Sequence, residues 1–317
     1  MKWSAIAAVI GLAGCTPSFQ SASQVTDLRI LAMQAEPPES LFDAQCSDLH
    51  DLATCTVSNI DDMHLSVLFV DPVHPHQSGA ISPTLCPTST TSPICGAGSL
   101  ALEAQSGPQD TIGFSLEGAL LGSDLQKLPA LIYASAESSA LKGFGGIDVE
   151  FQAAVDTGDA NGIQLGHKTL IFNPRLPAGN PNRNHNPSVA GMKVIAANGT
   201  DLGVLTPGQT LQLTVGAEVG LRPVLTPGSI ETYQTIDLTG QSVAVTENLV
   251  WDFYSTTGAD FDNGTASEPL VGVADPVLGL TRMTATKIRS GTLWAVVHDG
   301  RGGTSWIELP WISGGGL

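Results

Sequence analysis

The chain has 317 residues, with 13 Lys or Arg against 30 Asp or Glu, so its formal net charge is −17. A surface this acidic repels nucleic acid, which is therefore not expected as a partner. With 42% hydrophobic residues, 35 Gly and 20 Pro, the composition is typical of a folded chain with many turns. The length predicts two domains of about 150 residues each.

A short apolar leader ends in a cysteine. Lys2 supplies a positive charge, Ala5 to Gly14 is apolar, and the leader closes with Leu12-Ala13-Gly14-Cys15. Such a run is too short to span ~30 Å of hydrocarbon as a helix, which favours a cleaved signal peptide. Small residues directly before a cysteine resemble the lipobox of bacterial lipoprotein precursors, and the resemblance implies that residues 1–14 are removed as a lipoprotein signal peptide.

The same resemblance implies a lipid anchor on Cys15, made of a thioether-linked diacylglycerol and a third acyl chain on the freed amine. Two or more acyl chains anchor a protein stably in a membrane. A secretory leader that happens to end in cysteine is the alternative. Thr16 stands where an aspartate commonly retains lipoproteins in the inner membrane, so the resemblance to lipoproteins favours the outer membrane and leaves both of its faces open. The polar, Ser-rich residues 15–24 predict a flexible tether.

Residues 25–173 are predicted to form a first, β-rich domain. Asp27–Met33 indicates a strand that the following Pro37 and Pro38 end. Leu65–Val70 is almost continuously apolar, which is typical of a strand covered on both faces. Residues 40–60 and 72–105 show little periodicity and are expected to be long surface loops. Further strands are predicted at residues 111–116, 130–136, 147–155 and 168–173.

These two loops carry four cysteines, Cys46, Cys55, Cys86 and Cys95. Outside the cytoplasm an even set indicates two disulfides, and the equal spacing favours Cys46–Cys55 with Cys86–Cys95 among three connectivities. Each ring of this size contributes ~2.5–3 kcal/mol in the chain-entropy model. A zinc site is the alternative, although the chain has no CxxC pair.

A linker is predicted at residues 174–187, which are rich in proline and asparagine and carry hardly any apolar side chain. Residues 188–312 then show a second β pattern in which Leu211–Val215 alternates strictly. Asp299-Gly300-Arg301-Gly302-Gly303 indicates a hairpin turn. Strands are also predicted at residues 192–196, 233–238, 242–246, 249–254, 281–288, 292–298 and 304–309. This spacing is typical of an antiparallel sandwich.

The second half also contains four tryptophans: Trp251, Trp294, Trp306 and Trp311. Alternation places Trp251 and Trp294 on apolar faces, and an immunoglobulin-like core holds one large ring at the position of Trp251. The functional alternative is a carbohydrate-binding aromatic platform on the surface.

Three segments resemble one family. Val25–Glu39, the link Asn184-His185-Asn186-Pro187 and the closing Leu293–Trp306 are similar to predicted lipoproteins that are abundant in myxobacteria. The resemblance implies an envelope location and an immunoglobulin-like second domain. Because that family is largely uncharacterised, it implies no catalytic residues. The chain departs from the family after Glu39, where cysteine-bearing insertions stand.

Motifs of common enzymes are missing from the sequence, including the Gly-x-Ser-x-Gly elbow, the His-Glu-x-x-His helix and the Gly-rich phosphate loop. The segment around Ser115 comes nearest to an elbow, but its second glycine is one position late. His74-Pro75-His76 with Asp71 offers metal ligands on a proline-broken loop, which seldom preorganises them.

Two acidic turns are candidate Ca²⁺ sites. One contains Asp156, Asp159 and Asn161, and the other contains Asp260 and Asp262. Ca²⁺ requires six to eight oxygen ligands, of which each turn supplies at most half from side chains. Ordinary Asx-rich turns are the alternative. No other cofactor is expected.

These features predict an all-β protein of two immunoglobulin-like β-sandwich domains behind a lipoprotein signal peptide. The expected function is that of a non-enzymatic, membrane-anchored envelope lipoprotein with a structural or adhesive role at the cell surface. The expected partners are the membrane, through the lipid anchor, and an envelope protein or polysaccharide. The alternatives are a substrate- or glycan-binding lipoprotein and a hydrolase whose site is assembled from distant loops.

Overall fold

The computed structural model describes residues 22–46, 55–75, 77–88, 95–96, 98–120, 126–138, 146–158, 162–175, 183–236, 241–267 and 279–315. The described part of the first half contains β1 (Gln24–Val25), β2 (Arg29–Glu36), β3 (Glu39–Cys46), β4 (Cys55–Ser58), β5 (His64–Val70), β6 (Gly79–Pro87), β7 (Leu100–Ala101), β8 (Gln105–Gly107), β9 (Asp110–Ser115), α1 (Leu116–Ala119), α2 (Leu128–Ser138), β10 (Ile147–Asp156) and β11 (Gln164–Pro174).

The described part of the second half contains β12 (Val189–Ala196), β13 (Asp201–Leu205), β14 (Leu211–Thr214), β15 (Glu218–Leu225), β16 (Thr232–Ile236), β17 (Ser242–Thr246), β18 (Val250–Thr256), β19 (Ala259–Phe261), β20 (Thr265–Ser267), β21 (Thr281–Ala285), β22 (Ser290–His298) and β23 (Thr304–Gly314). The prediction of an all-β fold is confirmed.

Two facing sheets make the first sandwich. Sheet I has the strand order β2-β5-β9, and sheet II has the order β4-β3-β11-β10-β6-β7, with β8 also pairing β6. Their inner faces form one core, in which the rings of Phe114 on β9 and Phe151 on β10 meet edge to face with centroids 6.2 Å apart. Helix α2 adds Leu128, Leu131 and Ile132 to the same core.

The second sandwich has the strand order of an immunoglobulin-like domain. Sheet III contains β1-β18-β22-β23-β14, with β20 beside β18, and sheet IV contains β13-β12-β15-β21-β19. Immunoglobulin-like sandwiches place strands A-B-E-D in one sheet and C-F-G in the other. Strands β12, β15, β21 and β19 take the first order, and β18, β22 and β23 take the second. Trp251 on β18 is fully buried, at the position where this fold holds a large ring on strand C.

A third core joins the two sandwiches face to face. The outer face of sheet I presents Leu31, Leu68 and Val70, which pack against Trp294 and Val296 on the outer face of sheet III. Strand β5 is therefore buried on both sides, because Leu65, Val67 and Phe69 point into the first core while Leu68 and Val70 point into the third. This confirms the prediction that Leu65–Val70 is covered on both faces.

The segment 130–136 is helical, so the prediction of a strand there was wrong. Leu128, Leu131 and Ile132 lie at helical spacing and are buried, while the alanines of the segment favour a helix. The strong hydrophobicity of the run concealed this period.

The prediction that residues 72–105 form a loop was also wrong, because β6 lies inside the segment and pairs β10 along its length. The segment also contains Pro83, which has no N–H to donate to a ladder. On its other side β6 pairs β8 at Gly79–Ile81 and β7 at Thr84–Leu85, so Pro83 falls in the gap between them. Likewise β3 and β4 occupy parts of the segment 40–60 that was predicted to be a loop.

The predicted disulfide between Cys86 and Cys95 is present. The backbones of Cys46 and Cys55 lie directly opposite each other in the β3–β4 ladder. Their side chains lie outside what the structure describes, so that disulfide stays a prediction.

Candidate functional site at the junction of the two sandwiches

A cluster of charged side chains lies beside the third core, around the turn that joins β22 to β23. The Arg301 guanidinium contacts carboxylate oxygens of Glu247 at 3.1 Å, Glu231 at 3.3 Å and Glu39 at 3.4 Å. It also lies over the Tyr233 ring, 4.0 Å from the centroid. Glu39 belongs to the first half, whereas the other partners belong to the second. Arg301 therefore links the two sandwiches electrostatically.

The conformation of this turn is fixed by Asp299, which is almost fully buried. Its Oδ1 accepts hydrogen bonds from the backbone N–H of Arg301 at 2.7 Å and of Gly303 at 2.9 Å, and its Oδ2 accepts one from Asn184 Nδ2 at 2.8 Å. A Cβ at Gly303 would lie 2.0 Å from Asp299 Oδ2, so this position requires glycine. The Asp-Gly-Arg-Gly-Gly sequence thus builds a rigid turn that presents Arg301.

The last residues of the predicted linker are packed into the junction. Asn184 is fully buried. Asn186 donates from Nδ2 to the Ala35 carbonyl at 2.7 Å, and its Oδ1 accepts from the Thr304 N–H at 2.8 Å. One side chain therefore joins the edge of β2 to the start of β23. Residues 176–182 lie outside the described residues, and the predicted boundary at 174–187 stays a prediction.

Burial controls the protonation of the carboxylates here. Desolvation raises the pKa of Glu39 above its ordinary value of 4.5, and a hydrogen bond from Asn184 and the charge of Arg301 oppose that rise. Desolvation also raises the pKa of Glu247, against hydrogen bonds from Glu231 and Arg301. Arg301 therefore favours the charged form of both carboxylates and opposes the desolvation that raises their pKa values.

Lys168 on β11 reaches across the junction from sheet II. Its ammonium donates to the Gly302 carbonyl at 2.6 Å and to Thr304 Oγ1 at 3.2 Å. Desolvation lowers its pKa from 10.5 to about 8, although the charge of Asp299 acts in the opposite direction. A buried amine with a shifted pKa in a cleft is a common mark of a functional site.

A cleft of about 320 Å³ opens beside this lysine, with β2, β11 and the β22–β23 hairpin as its walls. The side chains along it form a chain of polar contacts. Lys168 contacts Thr304, Thr304 Oγ1 lies 3.4 Å from His298 Nδ1, and His298 Nε2 lies 3.5 Å from Asp252 Oδ2.

This order of Thr, His and Asp resembles a hydrolytic triad, but two observations argue against that role. Both links exceed the ~2.6–3.2 Å over which a base activates a nucleophile. Thr304 is also only 3% exposed, because it lies between the two sandwiches. We therefore assign these groups to the junction and to the wall of the cleft.

Three of the four tryptophans are core residues. Trp251, Trp294 and Trp311 are buried, whereas Trp306 is partly buried against the third core. The core interpretation of Trp251 and Trp294 is confirmed. Neither ring is exposed as a carbohydrate platform would require.

The candidate Ca²⁺ residues have hydrogen-bond partners within the protein. Asp156 accepts from the Gly158 N–H at 2.7 Å, Asp262 accepts from the Arg282 N–H at 2.8 Å, and Asp260 accepts from Gln24. Among the described residues no group of three or more His, Cys, Asp or Glu side chains is arranged to hold a metal ion. Cys15, Asp159 and Asn161 lie outside the described residues, so the lipid anchor and the calcium hypothesis stay predictions.

The other two motifs have local structural roles. Ser115 caps α1, where its Oγ accepts from the Gly118 N–H at 2.9 Å and donates to Asp62 at 2.6 Å. His74 Nδ1 lies 3.0 Å from Asp71 Oδ2, and His76 is not among the described residues. In the part of the chain that the structure describes, no helix is long and apolar enough to cross a membrane.

Sequence reasoning missed the residues of the junction. Glu39, Lys168, Glu231, Glu247 and Arg301 are separated by long stretches of chain, and nothing local connects them. Arg301 alone carried a local signal, since it is the cation within the predicted hairpin turn at residues 299–303.

No family model matches the chain, and no curated protein matches it. Similar solved structures include red sea bream transglutaminase, at 8% identity and a TM-score of 0.22, with 92% of this chain and 32% of that chain covered. The two tandem V-type regions of VCBP3, a v-region-containing chitin binding protein, match at 12% identity and a TM-score of 0.28, over 90% and 100% of the respective chains.

Dimeric latent PorU from Porphyromonas gingivalis matches at 8% identity and a TM-score of 0.21, over 92% of this chain and 24% of that chain. The chain thus spans about a third of the transglutaminase and a quarter of PorU. Likenesses this distant carry no argument about fold or activity.

Proposed function

We propose that the protein is a non-enzymatic lipoprotein of the bacterial outer membrane, anchored through Cys15, in which the fused double sandwich acts as a rigid structural or adhesive module. The observation that carries the proposal is the third core. It buries Trp294 between the sandwiches and, with the Arg301 cluster, holds them in one arrangement.

Rigidity matters for a module that transmits force or presents a surface away from a membrane. Two sandwiches on a flexible linker would reorient freely, because inter-domain contacts are small and polar by default. Here the contact is apolar at its centre and charged at its edge. The charge of −17 keeps such a module from binding anionic surfaces without specificity.

The anchor is tested by replacing the cysteine. Cys15→Ala should leave an uncleaved or released protein that enters the aqueous phase on detergent partitioning, whereas the matched tether variant Ser21→Ala should remain in the detergent phase. Partitioning of Cys15→Ala like the wild type would contradict the anchor.

The structural or adhesive role is tested in cells that lack the protein. Surface adhesion and resistance of the envelope to detergent should fall, and Ser21→Ala should restore them where Cys15→Ala at equal abundance does not. Unchanged adhesion and envelope resistance in the deletion strain would contradict the role. Protease treatment of intact cells then decides which face of the membrane carries the module.

A further inference from the structure

The cleft beside Lys168 has the composition of a ligand site. Its lining includes the apolar side chains of Ile30 and Met33 on β2, together with His167, Lys168, His298 and Thr304. Its volume of about 320 Å³ lies within the usual range for small-molecule sites. Apolar side chains together with a few polar groups suit an organic ligand with one charged end.

Lys168 provides the charged contact in the cleft. An ammonium carries three N–H donors, and two of them bond to Gly302 and Thr304. Among the described residues it has no third acceptor and no carboxylate at ion-pair distance. One donor of a desolvated cation is therefore left for a ligand, and a bond to such a charge is stronger than a bond between neutral groups.

We propose that this cleft binds a small organic carboxylate, either as a free acid or as a uronic-acid unit of an acidic polysaccharide. The ligand carboxylate would accept from Lys168, and the apolar part of the ligand would lie against Ile30 and Met33. This ligand goes beyond the proposed structural or adhesive role and does not require the lipid anchor.

A carboxylate fits better than a phosphate. Phosphate sites usually combine an Arg fork or the N-terminus of a helix with several donors, and this cleft offers one ammonium beside strands. A single negative charge needs only the donor that Lys168 has left.

The test is calorimetric titration of the purified full chain in mild detergent. The probes are galacturonate, lactate and polygalacturonate, with galactose as the neutral control and inorganic phosphate as the dianion. At least one carboxylate should bind, whereas galactose and phosphate should not. Binding of polygalacturonate identifies the polysaccharide unit as the source, and binding of the small acids alone identifies a free acid.

Lys168→Met should weaken carboxylate binding by about 10-fold or more, as expected for loss of a charged hydrogen bond. The matched control is Lys193→Met, because that lysine pairs with Asp201 on the remote sheet IV and should keep wild-type affinity. Reductive methylation mapped by mass spectrometry provides a readout on the unmutated chain. The bound carboxylate should protect Lys168 and leave the rate at Lys193 unchanged.

Three results would overturn the proposal. They are no binding of any carboxylate at millimolar concentration, equal binding of galactose or phosphate, and methylation of Lys168 at the same rate with and without the ligand.

Discussion

Replacing Arg301 by methionine removes the cation that three carboxylates share while it keeps most of the apolar stem. Glu247 is the costliest group to leave unpaired, since its side chain is only 1% exposed, against 10% for Glu39 and 22% for Glu231. Removing one partner of a buried ion pair typically destabilises a protein by about 3–5 kcal/mol. We expect Arg301→Met to lower the free energy of unfolding by about 3 kcal/mol at neutral pH, at the lower end because Glu231 keeps some water.

The stability lost in Arg301→Met should depend on pH, and the direction of this dependence follows from the pKa shifts of the carboxylates. Glu39 and Glu247 have raised pKa values in the folded protein, so any stability from these groups is present below 4.5 and is lost as the pH rises through their folded pKa. Without Arg301 both pKa values rise further, because a coulombic or hydrogen-bonding partner that favours the charged form is gone. The difference in unfolding free energy between the wild type and Arg301→Met should therefore be largest near pH 8 and become smaller as the pH falls towards 4.5.

Urea unfolding of the wild type, Arg301→Met and Arg282→Met across this pH range measures the effect. Arg282 is half-exposed and pairs with Glu218 at 3.2 Å, so its loss should cost at most about 1 kcal/mol. Equal destabilisation by the two substitutions, or a deficit that grows in acid, would refute the role of Arg301.

Three further expectations concern the same molecule. The pKa of Lys168 is about 8 in the folded protein against an ordinary 10.5, so the cost of burying its charge is full below pH 8 and disappears towards pH 10.5. Between pH 8 and pH 10.5, the unfolding free energy of the wild type should increase by up to about 3 kcal/mol relative to that of Lys168→Met, as measured by urea unfolding. Unfolding free energies that change in parallel with pH in the two proteins would contradict this. Trp294→Ala should cost about 3–5 kcal/mol of unfolding free energy, whereas Ile312→Ala at an exposed site should change it by less than about 0.5, and similar values would place Trp294 outside a packed core. The calcium hypothesis predicts that millimolar Ca²⁺ raises the melting temperature relative to chelator at constant ionic strength and that Asp262→Ala abolishes the rise; no rise in the wild type would identify ordinary turns.

Local patterns predicted only part of the strands, since β3, β4, β6, β13 and β15 were not among those predicted. The alternation around Trp251 identified a core position, and the uninterrupted apolar run Leu65–Val70 identified a strand covered on both faces. Both predictions depend only on which faces of a strand are exposed to solvent. The sequence did not reveal that the second face of β5 is covered by the other sandwich, because this depends on how two separate sheets pack against each other.

The failures also have physical causes. At residues 130–136 a helix in the core is apolar enough to look like a strand, and only the spacing of Leu128, Leu131 and Ile132 distinguishes the two. In β6 the proline is tolerated by a gap between neighbouring strands, which no local pattern reveals. The junction escaped prediction because Arg301 and Glu39 belong to different sandwiches and lie 262 positions apart in the chain.

If the third core fuses the two sandwiches into one unit, the two halves should remain together after the chain between them is cut. A protease site inserted within residues 176–182 and then cleaved would leave the halves joined only by their contacts. The cleaved protein should elute from size exclusion as one species and unfold in one transition, and Trp294→Ala in the same background should separate the fragments. Two fragments that separate without any core substitution and unfold independently would contradict it.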